Sequence, residues 1–256
     1  MSRSYLRITP SNQPANGIIS YRDGMPLVQF MIGEQDRMLV GSGLRLCGEF
    51  EAVKEADASG LVAADGVSIN PRLGILACID QLTISSKRTS QTMESIRHYG
   101  RFLSSFVGLT RGFNDTVTQD SARYCSMANE AQTYSNLIES KTNKAEFSLP
   151  LQCGLFSGED HIPLSATWGV QGLIIQINLA PDSNVFKCLD SNTAPYYRLH
   201  NLHLTCEVIN PSPDQLSRYM SNGAFEYNTI SSYYDVVNAS YATINFNLGL
   251  SRVLGA

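Results

Sequence analysis

Few side chains in this chain stand where reactions are usually carried out. His161 follows Glu159-Asp160, a trio that suits cation binding or proton transfer, although solvated loops carry such residues routinely. His200 and His203 are the close histidine pair. Three apart on a strand they face opposite sides, one partly buried and one toward solvent. They converge on a metal only if the strand is broken between them. His98 falls on a predicted helix. Gly41-Ser42-Gly43 opens like a dinucleotide fingerprint, but the third glycine is missing and strands follow, so it reads as a turn or bulge. Neither a Gly-x-Ser-x-Gly elbow nor a phosphate loop occurs. Cys47, Cys78, Cys125, Cys153, Cys188 and Cys206 form no CxxC pair and read as free thiols, most of them buried. No catalytic residue, cofactor or metal site is assigned, and the chain does not read as an enzyme.

The clearest basic feature is Lys87-Arg88 followed by Arg97 and Arg101. On a helix Arg97 and Arg101 share a face and suit an acidic partner surface, which makes them the candidate subunit-contact residues; a solvated face is the plainer alternative. Tyrosines between Tyr227 and Tyr234 suit sugar stacking or packing at an interface, packing being simpler. Asn114-Asp115-Thr116 and Asn238-Ala239-Ser240 match the glycosylation pattern, and with no leader before them they read as chance.

The elements that must position these residues follow from composition and periodicity. The 256 residues include 19 Lys and Arg against 23 Asp and Glu, a formal charge of −4. Charged residues are 16% of the chain, against about 25% in typical globular proteins. That balance gives no general attraction for phosphate backbones or anionic lipids, so neither direct nucleic-acid binding nor membrane insertion is expected. Met1 to Asn16 is polar, carries Pro10 and Pro14, and does not read as a secretory leader; folding in a reducing compartment is expected.

Period-two alternation dominates. Phe147, Leu149 and Leu151 alternate with Glu146, Ser148 and Gln152; Leu173, Ile175, Ile177 and Leu179 alternate mostly with polar residues; so do Leu202, Leu204, Cys206 and Val208. Weaker strands run through Pro26 to Glu34, Leu44 to Phe50, Leu76 to Ser85 and Asn184 to Cys188. Pro150 places its strand at an edge or a bulge. Many short antiparallel strands imply an all-β sandwich or barrel. Two helices interrupt it. The first carries Met93, Ile96, Leu103, Phe106 and Val107 at helical spacing, with Ser90 as N-cap, Glu94 in the first turn and Gly108 as stop. In the second, Ser212-Pro213-Asp214-Gln215 is a capping box with proline at the first position, and Asn222-Gly223 ends it. The expected division is a first domain over residues 1–210, a linker helix over 211–223, and the beginning of a second unit over 224–256, as if cut short.

The order of a strand, Asn70-Pro71-Arg72-x-Gly74, a strand through Ile84-Ser85-Ser86, and Glu94-Ser95-Ile96-x-x-Tyr99-x-Arg101 resembles the first domain of double-jelly-roll major capsid proteins of polinton-like viruses and virophages. Thr243 to Leu254, read as Thr-Ile-Asn-Phe-Asn-Leu-Gly-Leu-Ser-Arg-Val-Leu, is similar to the opening of their second jelly roll. The resemblance implies an antiparallel jelly roll with an inserted helix, followed by the start of a second roll. It also implies homotrimers that act as pseudo-hexagonal blocks of an icosahedral shell, contact with other capsid proteins such as pentons, and a place in the virion. The missing second half leaves a single-jelly-roll penton or minor capsid protein as the nearest variant. A carbohydrate-binding sandwich is the rival from another class; it needs exposed aromatic residues on one concave face, and Trp168 is the lone tryptophan.

Overall fold

A computed structural model describes residues 3–61, 67–69, 74–103, 144–157, 161–188, 194–222, 227–230 and 232. Its strands are β1 (Arg3–Ile8), β2 (Ile18–Ile19), β3 (Leu27–Ile32), β4 (Met38–Lys54), β5 (Val67–Ile69), β6 (Ile79–Ser86), β7 (Thr92–Arg97), β8 (Lys144–Pro150), β9 (Ile162–Pro163), β10 (Leu173–Leu179), β11 (Phe186–Cys188) and β12 (Pro195–Ile209). One sheet has the order β1-β12-β4-β8, with β2 added on β12 and β9 on β4; a second has the order β3-β10-β6-β7; and β11 pairs with β5 as a small two-stranded sheet.

The pairing defines the topology. β1 pairs with β12, β3 with β10, β4 with β8 and β6 with β7, all antiparallel. These four pairs nest one inside the next, which is one long antiparallel hairpin rolled into two facing sheets. That is a jelly roll, the fold class expected. The core between the sheets is the alternating set: Phe30, Ile32, Leu82, Ile84, Leu149, Ile175, Ile177 and Leu204 are all buried. Each such side chain contributes roughly 1.5–3 kcal/mol relative to exposure. Pro150 ends β8, the last strand of its sheet, so its missing N–H deprives no neighbour on the open side. Among the described residues no helix is long and apolar enough to cross a membrane.

The first predicted helix is corrected. Thr92–Arg97 is strand β7, and the helix is confined, among the described residues, to residues 99–103, where the Phe102 N–H donates to His98 O at 3.1 Å. Period two wins because Glu94 and Ile96 point inward opposite Ile84 and Leu82, while Ser95 and Arg97 point out. Ser90 caps nothing. It takes a left-handed φ of 55° in the tight turn joining β6 to β7, where Ser86 N–H donates to Gln91 O. Phe106, Val107 and Gly108 lie outside the described residues, as do Asn70 to Leu73, Cys125, both glycosylation matches and everything after Ser232. The stretch from Asn184 to Cys188 also differs from expectation: it opens in a helical turn, α2 (Asp182–Val185), before β11, while α1 (Gly154–Ser157) follows β8.

The second helix, α3 (Pro213–Asn222), forms as its sequence predicts. Gln215 N–H donates to Ser212 Oγ at 3.2 Å and Ser212 N–H donates back to Gln215 Oε1 at 3.0 Å, a reciprocal capping box. It folds against the outside of the first sheet, where Leu216 and Tyr219 join Met38, Ile209 and Trp168 in a small apolar cluster.

Tyr197 ties β12 to the start of α2. Its buried hydroxyl donates to Ala180 O at 2.6 Å and its ring stacks on Phe50. Burial drives its pKa well above the usual phenol value. The folded state therefore holds this proton more tightly than the unfolded chain. The resulting stability is intact below the unfolded tyrosine pKa of ~10 and falls as pH rises above it. Tyr197→Phe is expected to cost about 1 kcal/mol at pH 7 and to flatten the loss above pH 10, as read by thermal melts across pH.

Candidate assembly surface

The outer face of the second sheet is the most distinctive surface the fold builds. Because its strands alternate, one side chain in two is turned outward: Leu27, Gln29 and Met31 from β3, Ile174, Gln176 and Asn178 from β10, Gln81, Thr83 and Ser85 from β6, Ser95 and Arg97 from β7. Arg97, at the rim, is the one charge among these described positions. Asn178 Nδ2 donates to Gln81 Oε1 at 3.2 Å, Gln81 Nε2 donates to Ser95 Oγ at 3.1 Å and Thr83 Oγ1 at 3.3 Å, and the Thr83 and Ser95 hydroxyls share a bond at 3.2 Å. A ladder of neutral groups that already satisfy one another loses little when water is removed. Leu27 at 37% and Met31 at 40% exposure add apolar area beside it. Low charge with exposed methionine is the composition of an interface centre.

Next to this face lies a buried carboxylate. Glu94, 4% exposed, occupies an inward position of β7. Its Oε1 accepts from the N–H groups of Gly154 and Ile230, and its Oε2 from that of Leu155, each at 2.8 Å. One side chain thus joins β7, the first turn of α1 and the chain beyond α3. Ser232 Oγ accepts from Arg97 N–H at 3.0 Å, so residues 227–230 and Ser232 lie along the edge of β7. Gly154 is required there, since a Cβ would stand 2.7 Å from Asn228 O and Thr229 Cα. A groove of about 300 Å³ remains between Thr92 to Ser95 on one side and Thr229, Ile230 and Ser232 on the other. Glu94 was expected in the first turn of a helix. The signal against that is the alternation of Glu94 and Ile96 with Ser95 and Arg97, masked because one inward slot is filled by an acid.

The predicted contact residues separate. Arg97 is exposed at the end of β7, and Arg101 is exposed within residues 99–103, so they do not share a helix face. Lys87 and Arg88 are exposed in the β6–β7 turn. His161 is half-buried just before β9, while Glu159 and Asp160 lie outside the described residues.

The histidine pair is also corrected. A bulge between His200 and His203, centred on Asn201 with φ of 51°, switches the inward parity of β12, so the two rings fall on the same outer side of the first sheet. They still take different partners. His200 Nε2 bonds Glu51 Oε2 at 2.7 Å, and His203 Nδ1 bonds Asn201 O at 2.7 Å. Asn201 Nδ2 donates to Glu49 Oε1. Among the described residues no three His, Cys, Asp or Glu side chains are grouped as a metal would need. Gly41 to Gly43 sit inside β4 where its register against β12 shifts, which is the bulge the sequence predicts. Cys78, Cys153 and Cys206 are buried, Cys47 is half-buried and Cys188 exposed; burial pushes the Cys206 thiol up to about 11. Trp168 is 9% exposed and stacked under Tyr219, so it lines no open sugar-binding face.

No family model matches the chain, and no curated protein does. Solved structures do. PBCV-1 VP54, fitted into a cryo-EM reconstruction of the virophage Sputnik, is 12% identical, with 86% of this chain and 45% of that chain covered and a TM-score of 0.45. A quasi-atomic model of the PBCV-1 virus capsid is 13% identical, covering 86% and 44%, with a TM-score of 0.47. The Faustovirus major capsid protein is 9% identical, covering 86% and 56%, with a TM-score of 0.48. The chain spans about half the length of these structures.

Proposed function

We propose that this chain is a structural capsid protein that self-associates and takes its place in a virion shell. The observation that carries it is the rolled-hairpin sandwich whose second sheet offers an outer face that is neutral at its centre, with Arg97 at the rim and its central polar groups already paired. Enzymes concentrate charge and convergent polar groups in a pocket; here the polar groups lie flat and bond sideways. The motif order around Ile84 to Ser86 and Glu94 to Arg101 supports the double-jelly-roll capsid class of polinton-like viruses and virophages. In that reading residues 1–210 are the first roll, 211–223 a linker helix and 224–256 the opening of the second. The working unit is then a pseudo-hexagonal trimer that meets its own copies and penton proteins. Arg97 and Arg101 are proposed at a subunit contact on the rim of the neutral face.

The test is native mass by light scattering, on this chain and on the chain with a complete second roll. Trimers or larger closed particles are expected. Arg97→Glu with Arg101→Glu is expected to lower assembly while leaving thermal unfolding within about 0.5 kcal/mol of the parent. A monomer under every condition overturns the proposal.

A further inference from the structure

Strand β3 reads Leu27-Val28-Gln29-Phe30-Met31-Ile32, six residues without a charge, a proline or a glycine. Segments of that composition stack into cross-β assemblies when their backbone is left unpaired. Among the described strands β3 stands last in its sheet, with β10 on one side. It carries neither of the common safeguards of a terminal strand, a charged side chain or a proline.

Its other side is met by two residues of the stretch that leaves β1. Ser11 N–H donates to Gln29 O at 2.7 Å, and the Ser11 hydroxyl donates to the same oxygen at 3.0 Å. Asn12 does the rest with one side chain: Oδ1 accepts from Gln29 N–H at 3.0 Å, and Nδ2 donates to Leu27 O at 2.7 Å. A primary amide carries the same acceptor and donor as a peptide group, so Asn12 stands where a further strand would pair. Turned over, the amide would set NH2 against N–H and oxygen against oxygen. The cover engages backbone alone. Leu27, Gln29 and Met31 keep their side chains on the outer face, while Val28, Phe30 and Ile32 stay in the core.

We propose that Asn12 is the residue that ends the second sheet. It occupies the β3 backbone in place of another strand, so copies of this chain meet through the outer face of the sheet and do not add strand to strand at β3. The route through the face rests on the self-association proposed above.

The test compares Asn12→Leu with Asn12→Asp in the whole chain. Leucine fills similar space but bonds neither backbone group. Aspartate still accepts from Gln29 N–H and adds a charge beside the strand. For Asn12→Leu in dilute solution, hydrogen exchange at the Gln29 amide is expected to quicken at least tenfold. Exchange at Phe30, which pairs with Ile175 on β10, should stay within about twofold of the parent. On concentration the leucine variant is expected to form open-ended β-rich aggregates at least tenfold faster than the parent, read by sedimentation and thioflavin fluorescence. Asn12→Asp should keep Gln29 protected and aggregate no faster than the parent. Unchanged exchange at Gln29 in the leucine variant overturns the proposal, and so does quickened exchange without aggregation. Aggregation with Phe30 exchanging as fast as Gln29 also overturns it, because β3 has then come away from β10. A parent that remains a monomer overturns the capsid reading, whereas an aggregating Asn12→Leu chain beside it still upholds the stop.

Discussion

Replacing Glu94 with leucine is expected to lower the unfolding temperature by roughly 10 °C. Three backbone N–H groups, those of Gly154, Leu155 and Ile230, give their hydrogen bonds to this one carboxylate. A buried donor left without an acceptor costs about 1–3 kcal/mol, so even the low end of that range for three donors reaches ~3 kcal/mol. In a chain of this length each kcal/mol moves the midpoint by about 2–4 °C. Glu94→Gln separates charge from hydrogen bonding. Its carbonyl oxygen can keep the Gly154 and Ile230 donors, but its NH2 then faces the Leu155 N–H, donor against donor, and about a third to a half of the leucine effect is expected. Limited proteolysis gives the second readout. Once Glu94 no longer holds Ile230, cleavage between Asn222 and Ser232 should precede any cleavage of the sandwich. A melting temperature within a degree of the parent for Glu94→Leu would show that water satisfies these donors and that the clasp is incidental.

Why that residue escaped sequence reasoning shows what periodicity encodes. A strand is legible when its inward positions are apolar, as in Leu173, Ile175, Ile177 and Leu179, whose strand β10 runs from Leu173 to Leu179 as the alternation predicts. In β7 one inward position is Glu94, and Met93, Ile96 and Leu103 chance to fall at helical spacing. The stronger local pattern then pointed to a helix, and pairing with β6 overrode it. Pairing itself is not written locally: Leu6 lies opposite Cys206, so no window of sequence contains both. The capping box of α3 was legible because all its partners lie within four residues.

The histidine pair marks a subtler limit. Period two assigned His200 and His203 to opposite faces, which holds only for an unbroken strand. Asn201 breaks it by adopting a left-handed conformation, one that asparagine tolerates better than most residues. A single inserted residue changes which side chains share a surface while leaving the alternation on either side intact. The neutral face of the second sheet was half legible: the polar residues between the apolar ones were visible, but their sideways hydrogen bonding needs β10, β6 and β7 in register. The predicted helix face of Arg97 and Arg101 vanished for the same reason that β7 was misassigned.

Gln176→Glu is expected to abolish self-association while leaving the fold intact. Gln176 sits on β10, flanked by Gln29 on β3 and Thr83 on β6, at the centre of the neutral face. In the free chain the new carboxylate stays partly hydrated, and the change in stability should remain within about 1 kcal/mol. Association would strip that water and bury a charge that has no positive partner among the outward groups around it. A penalty of several kcal/mol follows, about a hundredfold or more in the dissociation constant. Gln176→Leu provides the contrast, removing the amide without adding charge, and should associate at least as well as the parent. Arg97 differs because it stands at the rim, where reversing a charge alters the association rate and its salt dependence more than the lifetime of the complex. Sedimentation with matched thermal melts distinguishes the cases. A Gln176→Glu chain that assembles like the parent would remove this face from the interface.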